Sequence, residues 1–201
     1  MDGKFLWDDI KDMPTQEWGP PAWTTIHALA YAWTEERKQL YMDLMNNFLL
    51  PCPKCTRERD KLMVSSMSAR LGDINSVDDA KRWTFDLHNL VNARLGKRIM
   101  TPESAAALWD NHYQDLRMIQ SMIWYIQKVI SKFANNPDLT TWIHRIIQFI
   151  PFTNDTYRSA IISYINDHPA PIGKKYMQNL RAWSQWNQGW IGLYNILMKR
   201  T

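Results

Sequence analysis

The fold class can be inferred from "SVDDAKRWTFDLHNLVNARLGK", residues 76–97, because this stretch carries a complete set of helix signals. Ser76 is a favoured N-cap residue, and Asp79 in the first turn complements the positive end of the helix dipole. Apolar residues then recur at helical spacing, and Gly96 provides a stop. His88 and Asn92 are four residues apart and share one face. The stretch is therefore predicted to be an amphipathic helix with a polar edge.

Similar signals recur through the first 112 residues. A helix is predicted to start near Pro21, a second to follow "LYMDLMNNFLL" (residues 40–50), and a third to begin just after Pro53. Thr101 is the predicted cap of a short helix that starts at the proline after it. Only 7 glycines and few β-branched runs occur in the chain, which argues against a sheet. We expect an all-α fold with four helices and a short fifth.

The chain after about residue 113 is predicted to be a second all-helical region. Helical segments are expected at residues 116–133, 139–150, 154–165 and 176–200. "IPFTNDT" (150–156) can be aligned beneath "LPCPKCT" (50–56), and Trp124 and Lys128 repeat the spacing of an earlier Trp–His pair. Residues 113–201 are thus either a degenerate copy of the first half or a helical extension that serves as a dimerisation or partner surface.

Composition excludes several classes of protein. The 24 basic and 20 acidic residues give a net charge of +4 without blocks of one sign, so nucleic-acid binding is not expected. No apolar run approaches the roughly 20 residues needed to span a bilayer. The first residues resemble neither a secretory signal nor a transit peptide. We expect a soluble protein.

Cys52 and Cys55 are the only cysteines, and their C-x-x-C spacing leaves three interpretations open. They lie at a predicted helix start, where backbone N–H groups stabilise a thiolate, so they could be a redox pair. His27 and His88 could join them in a zinc site, although neither has a second histidine at typical finger spacing. They could also be two ordinary thiols. The spacing alone does not decide between these interpretations.

Three motifs together resemble the Erv/ALR family of flavin-dependent sulfhydryl oxidases, most closely the members from large DNA viruses. The motifs are "WGPPAWTTIH", "LPCPKC" and "WTFDLHNLVNARLGK", in this order and at the family's separations. The resemblance covers about residues 16–112. It implies a compact bundle of four helices plus a short fifth that holds FAD non-covalently.

The resemblance also implies the site residues, with no metal among the ligands. Cys52 and Cys55 would be the catalytic pair, with Cys55 against the isoalloxazine ring. Trp23 and His27 would contact the flavin moiety, and His88 would lie on the adenine and phosphate side. The full set of implied FAD contacts is Gly19, Trp23, His27, Tyr31, Cys55, Phe85, His88, Asn89, Val91, Asn92, Leu95, Lys97 and Trp109.

The implied reaction is disulfide formation in dithiol-containing substrate proteins. Electrons would pass from the substrate through Cys52 and Cys55 to FAD and then to O2, giving hydrogen peroxide. Because no further cysteine exists, there can be no internal shuttle pair and no intersubunit disulfide. The alternative is a zinc-stabilised or flavin-bound helical scaffold without oxidase turnover.

The expected domains are an oxidase domain at residues 1–112 and a helical domain at residues 113–201. The second domain could support either a homodimer or an intramolecular pseudo-dimer. A viral member of the family would be expected in the host cytoplasm, the virion, or both.

Overall fold

The computed structural model describes residues 14–110, 116–133 and 139–147, together with Phe149 and a few single positions farther along the chain. Every regular element in these ranges is helical, as the all-α prediction requires. The helices are α1 (Thr15–Tyr31), α2 (Lys38–Asn46), α3 (Pro53–Leu62), α4 (Ser68–Gly72), α5 (Val77–Arg94), α6 (Pro102–Trp109), α7 (Leu116–Phe133) and α8 (Leu139–Ile147). A 3₁₀ turn (Glu35–Arg37) precedes α2, and a π-helical turn (Met63–Met67) joins α3 to α4. None of the described helices is long and apolar enough to cross a membrane.

The start of α1 differs from the prediction. The helix begins at Thr15, so Pro20 and Pro21 lie inside it rather than at its first turn. The two prolines are the sixth and seventh residues of the helix, beyond the four N-terminal N–H groups that have no intrahelical partner, so each removes one intrahelical hydrogen bond. Thr24 and Thr25 donate to the carbonyls of Pro20 and Pro21 at 3.1 and 2.8 Å. The prediction was wrong because a proline permitted at the start of a helix does not have to mark it.

The end of α2 also differs from the prediction, which continued the helix to residue 50. The helix ends at Asn46, and Phe48 and Leu49 follow in a non-helical loop. The side-chain amide of Asn47 donates to the carbonyl of Asp43 at 3.0 Å, which offers the chain an alternative to another helical turn. The proline at position 51 further disfavours a helical residue before it. Phe48 is still buried, so its spacing from the apolar residues of α2 reflects burial in the core and not a helical conformation.

The predicted helix caps are confirmed where local sequence carried the signal. Ser76 accepts a hydrogen bond from the N–H of the residue three positions later at 3.1 Å, and Thr101 does the same at 3.2 Å. Gly96 adopts φ +64°, a conformation that favours glycine, and stops the chain after α5. Cys52 is the N-cap of α3, with Pro53 at the first helical position.

The core joins the first helices to α7 and α8. α7 matches the predicted segment and packs along α1, while α8 packs against α2. Phe48 stacks on Tyr125 with ring centroids 5.6 Å apart, and Trp142 meets Phe48 edge-on at 5.9 Å. The hydroxyl of Tyr125 donates to the carbonyl of Leu49 at 2.5 Å. The helices predicted at residues 154–165 and 176–200, and the alignment of residues 150–156, lie outside the described residues.

Candidate functional site

Cys52 and Cys55 form a disulfide at the start of α3, with an S–S distance of 2.06 Å. Cys52 is 4% exposed, whereas Cys55 is half-buried. The backbone N–H of Cys55 donates to the sulfur of Cys52 at 3.1 Å. Thr56 donates from its hydroxyl to the carbonyl of Cys52 at 3.2 Å, which fixes the turn from the other side. The sequence thus places a disulfide where the N-terminal end of a helix can stabilise a thiolate when the bond is broken.

Four aromatic rings from α1, α5 and α6 form a second cluster, which we call the aromatic slab: Trp23, His27, His88 and Trp109. Trp23 stacks on His88 with centroids 3.8 Å apart and an 8° angle between the ring planes. His27 stacks on Trp109 at 4.4 Å and 12°. Nε2 of His27 lies 3.1 Å from Nδ1 of His88 and joins the two stacks. Four of the predicted cofactor residues are therefore in mutual contact.

Both histidines of the slab are held neutral. Burial lowers the pKa of His27 to about 3, and the neighbouring His88 adds to the effect. Burial also lowers the pKa of His88 to about 4, with a further contribution from the positive charge of Lys97. A neutral imidazole has one donor and one acceptor nitrogen, so one proton between the two rings can be shared in the 3.1 Å contact. The slab therefore carries no positive charge at neutral pH.

The indole of Trp109 makes no hydrogen bond to any residue that the structure describes, although its Nε1 is buried. A buried donor of this kind normally has a partner, so it is a candidate contact for a bound polar group. Tyr31 lies nearby on α1 and donates to Asp110 at 2.6 Å. Lys81 reaches the same carboxylate oxygen at 3.3 Å and lies 4.1 Å from the centre of the Tyr31 ring. These contacts tie the end of α6, and with it Trp109, to α1 and α5.

The loop after α5 is closed by Asn89. Its side-chain amide donates to the carbonyl of Met100 at 2.9 Å and accepts from the N–H of Met100 at 3.0 Å. Within the loop, the N–H of Lys97 donates to the carbonyl of Asn92 at 2.8 Å, after the turn at Gly96. The side-chain oxygen and nitrogen of Asn89 thus both bind the backbone, and its predicted contact with the cofactor stays a prediction. Its hydrogen bonds to Met100 position the loop that carries Lys97.

The remaining predicted residues differ in their burial. Asn92 is 9% exposed, and Phe85 and Val91 are half-buried on the same helix. Leu95 is 61% exposed. No described atom lies within 4 Å of where a Cβ would stand at Gly19. The structure therefore shows open space beside Gly19.

Sequence reasoning missed three polar residues that support the site. Asp110 accepts from Tyr31 and from Lys81, and the guanidinium of Arg59 donates to the carbonyl of Phe48 in the loop before the disulfide. Asp110 and Lys81 are far from Tyr31 in sequence, so no local pattern links them. Arg59 lies one turn after Cys55 on the predicted helix, but no local pattern links its side chain to the Phe48 carbonyl eleven residues earlier.

The zinc interpretation is not favoured. His27 and His88 do lie together, but the two cysteine sulfurs are bonded to each other. In the described ranges no group of three or more His, Cys, Asp or Glu side chains could hold a metal ion.

Comparison with known proteins identifies the family. The profile of the Erv1/Alr family matches residues 20–114, which include the disulfide and all four rings of the slab. A protein of Acanthamoeba polyphaga mimivirus, named "Probable FAD-linked sulfhydryl oxidase", is 34% identical over 104 residues, which are 48% of this chain and 71% of the relative. The chain belongs to the Erv1/Alr family. Within that family the similarity includes other viral members.

An African swine fever virus member named FAD-linked sulfhydryl oxidase is 32% identical over 92 residues, or 42% of this chain and 72% of the relative. An Invertebrate iridescent virus 6 relative is 30% identical over 107 residues, or 48% of this chain and 95% of the relative. No solved structure matches the chain significantly. The Erv1/Alr match ends near residue 114, so α7 and α8 lie beyond it.

Proposed function

We propose that this Erv1/Alr chain is an FAD-dependent thiol oxidase that forms disulfide bonds in substrate proteins. The observation that carries the proposal is the pairing of two features on one core. The Cys52–Cys55 disulfide opens α3, and the aromatic slab is built from α1, α5 and α6. Cys55 and Trp23 both pack against the edge of the same hydrophobic cluster. This reaction needs a thiol-exchange centre and a surface for a flat cofactor, and both lie on the same core.

The residues present fit FAD. The slab consists of flat aromatic rings, a type that stacks on ring systems, and its neutral histidines carry no charge at neutral pH. The buried Nε1 of Trp109 has no described partner and can donate to a polar atom of the cofactor. Lys97 lies on an exposed turn after Gly96, where a lysine suits the pyrophosphate. We propose that Trp23, His27, His88, Trp109 and Lys97 hold the cofactor.

The chemical steps begin with thiol–disulfide exchange. A substrate thiolate attacks the sulfur of Cys52, the Cys52–Cys55 bond breaks, and its electron pair moves to Cys55. A second substrate thiolate then attacks the substrate sulfur of this mixed disulfide. The substrate leaves oxidised, and both cysteines are reduced. When bound, FAD would supply the two-electron acceptor that restores the disulfide, with O2 as the final acceptor and hydrogen peroxide as product.

The two sulfurs differ in access, which makes their roles testable. Cys52 is 4% exposed and accepts the N–H of Cys55, whereas Cys55 is half-buried. Attack at Cys52 therefore requires a local opening around its sulfur. We assign Cys52 to the substrate and Cys55 to the flavin on the family's motif order, and an experiment can separate the two roles.

The test uses spectra and oxygen uptake of the purified chain. A flavin spectrum and oxygen consumption with dithiothreitol are expected, and a colourless protein or one without oxygen uptake would contradict the proposal. Cys52→Ser should stop turnover and produce a long-wavelength band from the Cys55 thiolate beside the flavin. Cys55→Ser should stop turnover without this band. A band in Cys55→Ser alone would show that the two roles are reversed.

We also propose that the region beyond the family domain replaces a second subunit. α7 packs along α1 and α8 against α2, so these faces of the first bundle are already covered. Lys128 of α7 pairs with Glu17 at 3.9 Å, and Arg145 of α8 with Asp43 at 3.7 Å. A monomer is then expected in sedimentation experiments. A stable homodimer would favour the alternative, in which residues 113–201 form the dimer surface.

The substrates proposed here are dithiol-containing proteins, without a role for nucleic acid. A location in the host cytoplasm or the virion stays a prediction.

A further inference from the structure

A cavity of about 380 Å³ lies between α2, the loop after it, the first turns of α3, α7 and α8. Its wall includes Thr56, which directly follows Cys55, and Leu49, which precedes the disulfide by three residues. Its volume is in the range of ligand-binding pockets. None of the residues assigned to FAD lines it. The cavity is therefore a separate feature next to the redox helix.

The polar groups that line the cavity are mostly hydrogen-bond donors. Trp142 is 4% exposed, and its buried Nε1 makes no hydrogen bond to any described residue. The side chain of Arg59 is 14% exposed, and its recorded contacts are to Asp60 and to the carbonyl of Phe48. These contacts use one hydrogen on each of its three nitrogens, so two of the five guanidinium hydrogens remain.

Arg145 is the second guanidinium of the cavity. It lies 3.7 Å from Asp43, which is too long for a hydrogen bond, and its side chain is 35% exposed. Asp43 is the one acidic side chain in the lining, against the two arginines. The lining therefore has an excess of donors, and its two arginines outnumber its one carboxylate, with Asp60 outside the lining paired to Arg59. Apolar side chains such as Leu44, Phe48 and Phe133 complete the walls.

We infer that this cavity binds an acidic segment of the substrate protein, next to the cysteine that is oxidised. A glutamate side chain combines an apolar stem with a carboxylate, which matches apolar walls and donors at Trp142, Arg59 and Arg145. The inference rests on the proposed oxidase function, because a bound substrate segment has a role here only if the Cys52–Cys55 pair oxidises the thiols beside it. Hydrogen bonds between a guanidinium and a carboxylate are strong because both groups are charged, and two arginines can bind one carboxylate. The cavity would then select among substrate thiols that exchange equally well in solution.

The test compares three synthetic peptides with one dithiol sequence, flanked by glutamates, glutamines or lysines. For the full chain with FAD bound, kcat/KM for the glutamate peptide should exceed that for the glutamine peptide by about tenfold, and the lysine peptide should be poorest. Added salt should reduce the preference. Dithiothreitol oxidation is measured in parallel. Failure with dithiothreitol would contradict the oxidase function itself, whereas oxidation of dithiothreitol with equal use of all three peptides would overturn only this inference.

Two variants locate the preference. Arg145→Gln should lower the glutamate-over-glutamine ratio about fivefold, and Trp142→Phe, which removes only the indole N–H and part of the ring, should lower it about threefold. Arg70→Gln is the matched control, because Arg70 also pairs with an aspartate, Asp86, but does not line the cavity. It should leave the ratio unchanged.

Direct binding gives a second readout. A glutamate peptide with serines in place of its cysteines should bind the wild-type chain in a calorimetric titration and bind Arg145→Gln more weakly. Equal ratios in wild type and both cavity variants, or equal binding of acidic and neutral peptides, would overturn the inference.

Discussion

Acidification should weaken the fold through the two histidines of the aromatic slab. The folded pKa of His27 is about 3, against 6.5 in an unfolded chain. As pH falls below 6.5, the unfolded chain takes up a proton that folded His27 does not, so the stabilising contribution is complete above pH 6.5 and declines below it. The slope is about 1.4 kcal/mol per pH unit for one group. Between pH 7 and pH 5 this gives a loss of about 2 kcal/mol from His27.

His88 has a folded pKa of about 4 and should contribute a similar loss over this interval, because it too stays neutral above pH 5. The two together amount to about 4 kcal/mol, a large part of the 5–15 kcal/mol by which a domain is typically stable. Carboxylates also titrate near pH 5, so the total pH dependence does not isolate the histidines. The difference between wild type and a variant without the His27 imidazole does.

The assay is urea unfolding of wild type and His27→Gln at pH 7 and pH 5, with FAD in fixed excess, followed by tryptophan fluorescence. Wild type should lose about 2 kcal/mol more than the variant between the two pH values. The comparison uses the change with pH, so a lower stability of His27→Gln at both values does not matter. Equal losses in the two proteins would refute the argument that His27 is buried and neutral.

Three further substitutions probe the cofactor surface, the C-terminal contact and the loop. His88→Ala should lower both FAD affinity and melting temperature, and added FAD should restore part of the melting temperature by mass action; no recovery on titration would mean that His88 only packs. Tyr125→Phe leaves the Leu49 carbonyl without its 2.5 Å donor and should cost about 1–2 kcal/mol in urea unfolding, and no change would mean that water replaces the hydroxyl. Asn89→Leu removes both bonds to Met100 and should destabilise the chain by a similar amount while weakening FAD binding; unchanged FAD affinity would mean that the loop does not support the cofactor.

The sequence predicted elements whose signals are local. Ser76 and Thr101 cap helices where they were expected, because an N-cap side chain bonds to a backbone N–H only three residues away. α7 (Leu116–Phe133) was predicted from its apolar periodicity alone. Two helix boundaries were predicted wrongly. Pro21 was taken as the start of α1, although it lies inside the helix. Phe48 was taken as part of α2 because its spacing is helical, although it is a buried residue of the following loop.

The residues of the site were predicted from family motifs, whereas the contacts between them were not predicted. Nothing in the local pattern says that His27 and His88 lie 3.1 Å apart, because they are 61 residues apart in the chain. The same holds for the Tyr31–Asp110 bond, which spans 79 residues. The motif residues could be assigned to one site because the family resemblance supplied the missing tertiary information. The motif did not predict that the side chain of Asn89 binds the backbone of Met100, and a contact between Asn89 and the cofactor stays a prediction.

The loop before the disulfide depends partly on α7, which lies outside the family match. Its carbonyls at Phe48 and Leu49 accept from Arg59 of α3 and from Tyr125 of α7. A non-helical loop that is buried must find donors outside itself, and one of the two comes from a helix beyond residue 114. α7 therefore supports the loop that leads to Cys52, and it also covers α1. An oxidase domain cut after residue 114 should lose this support, so oxidation by the truncated chain is expected to fall even if its helices still form.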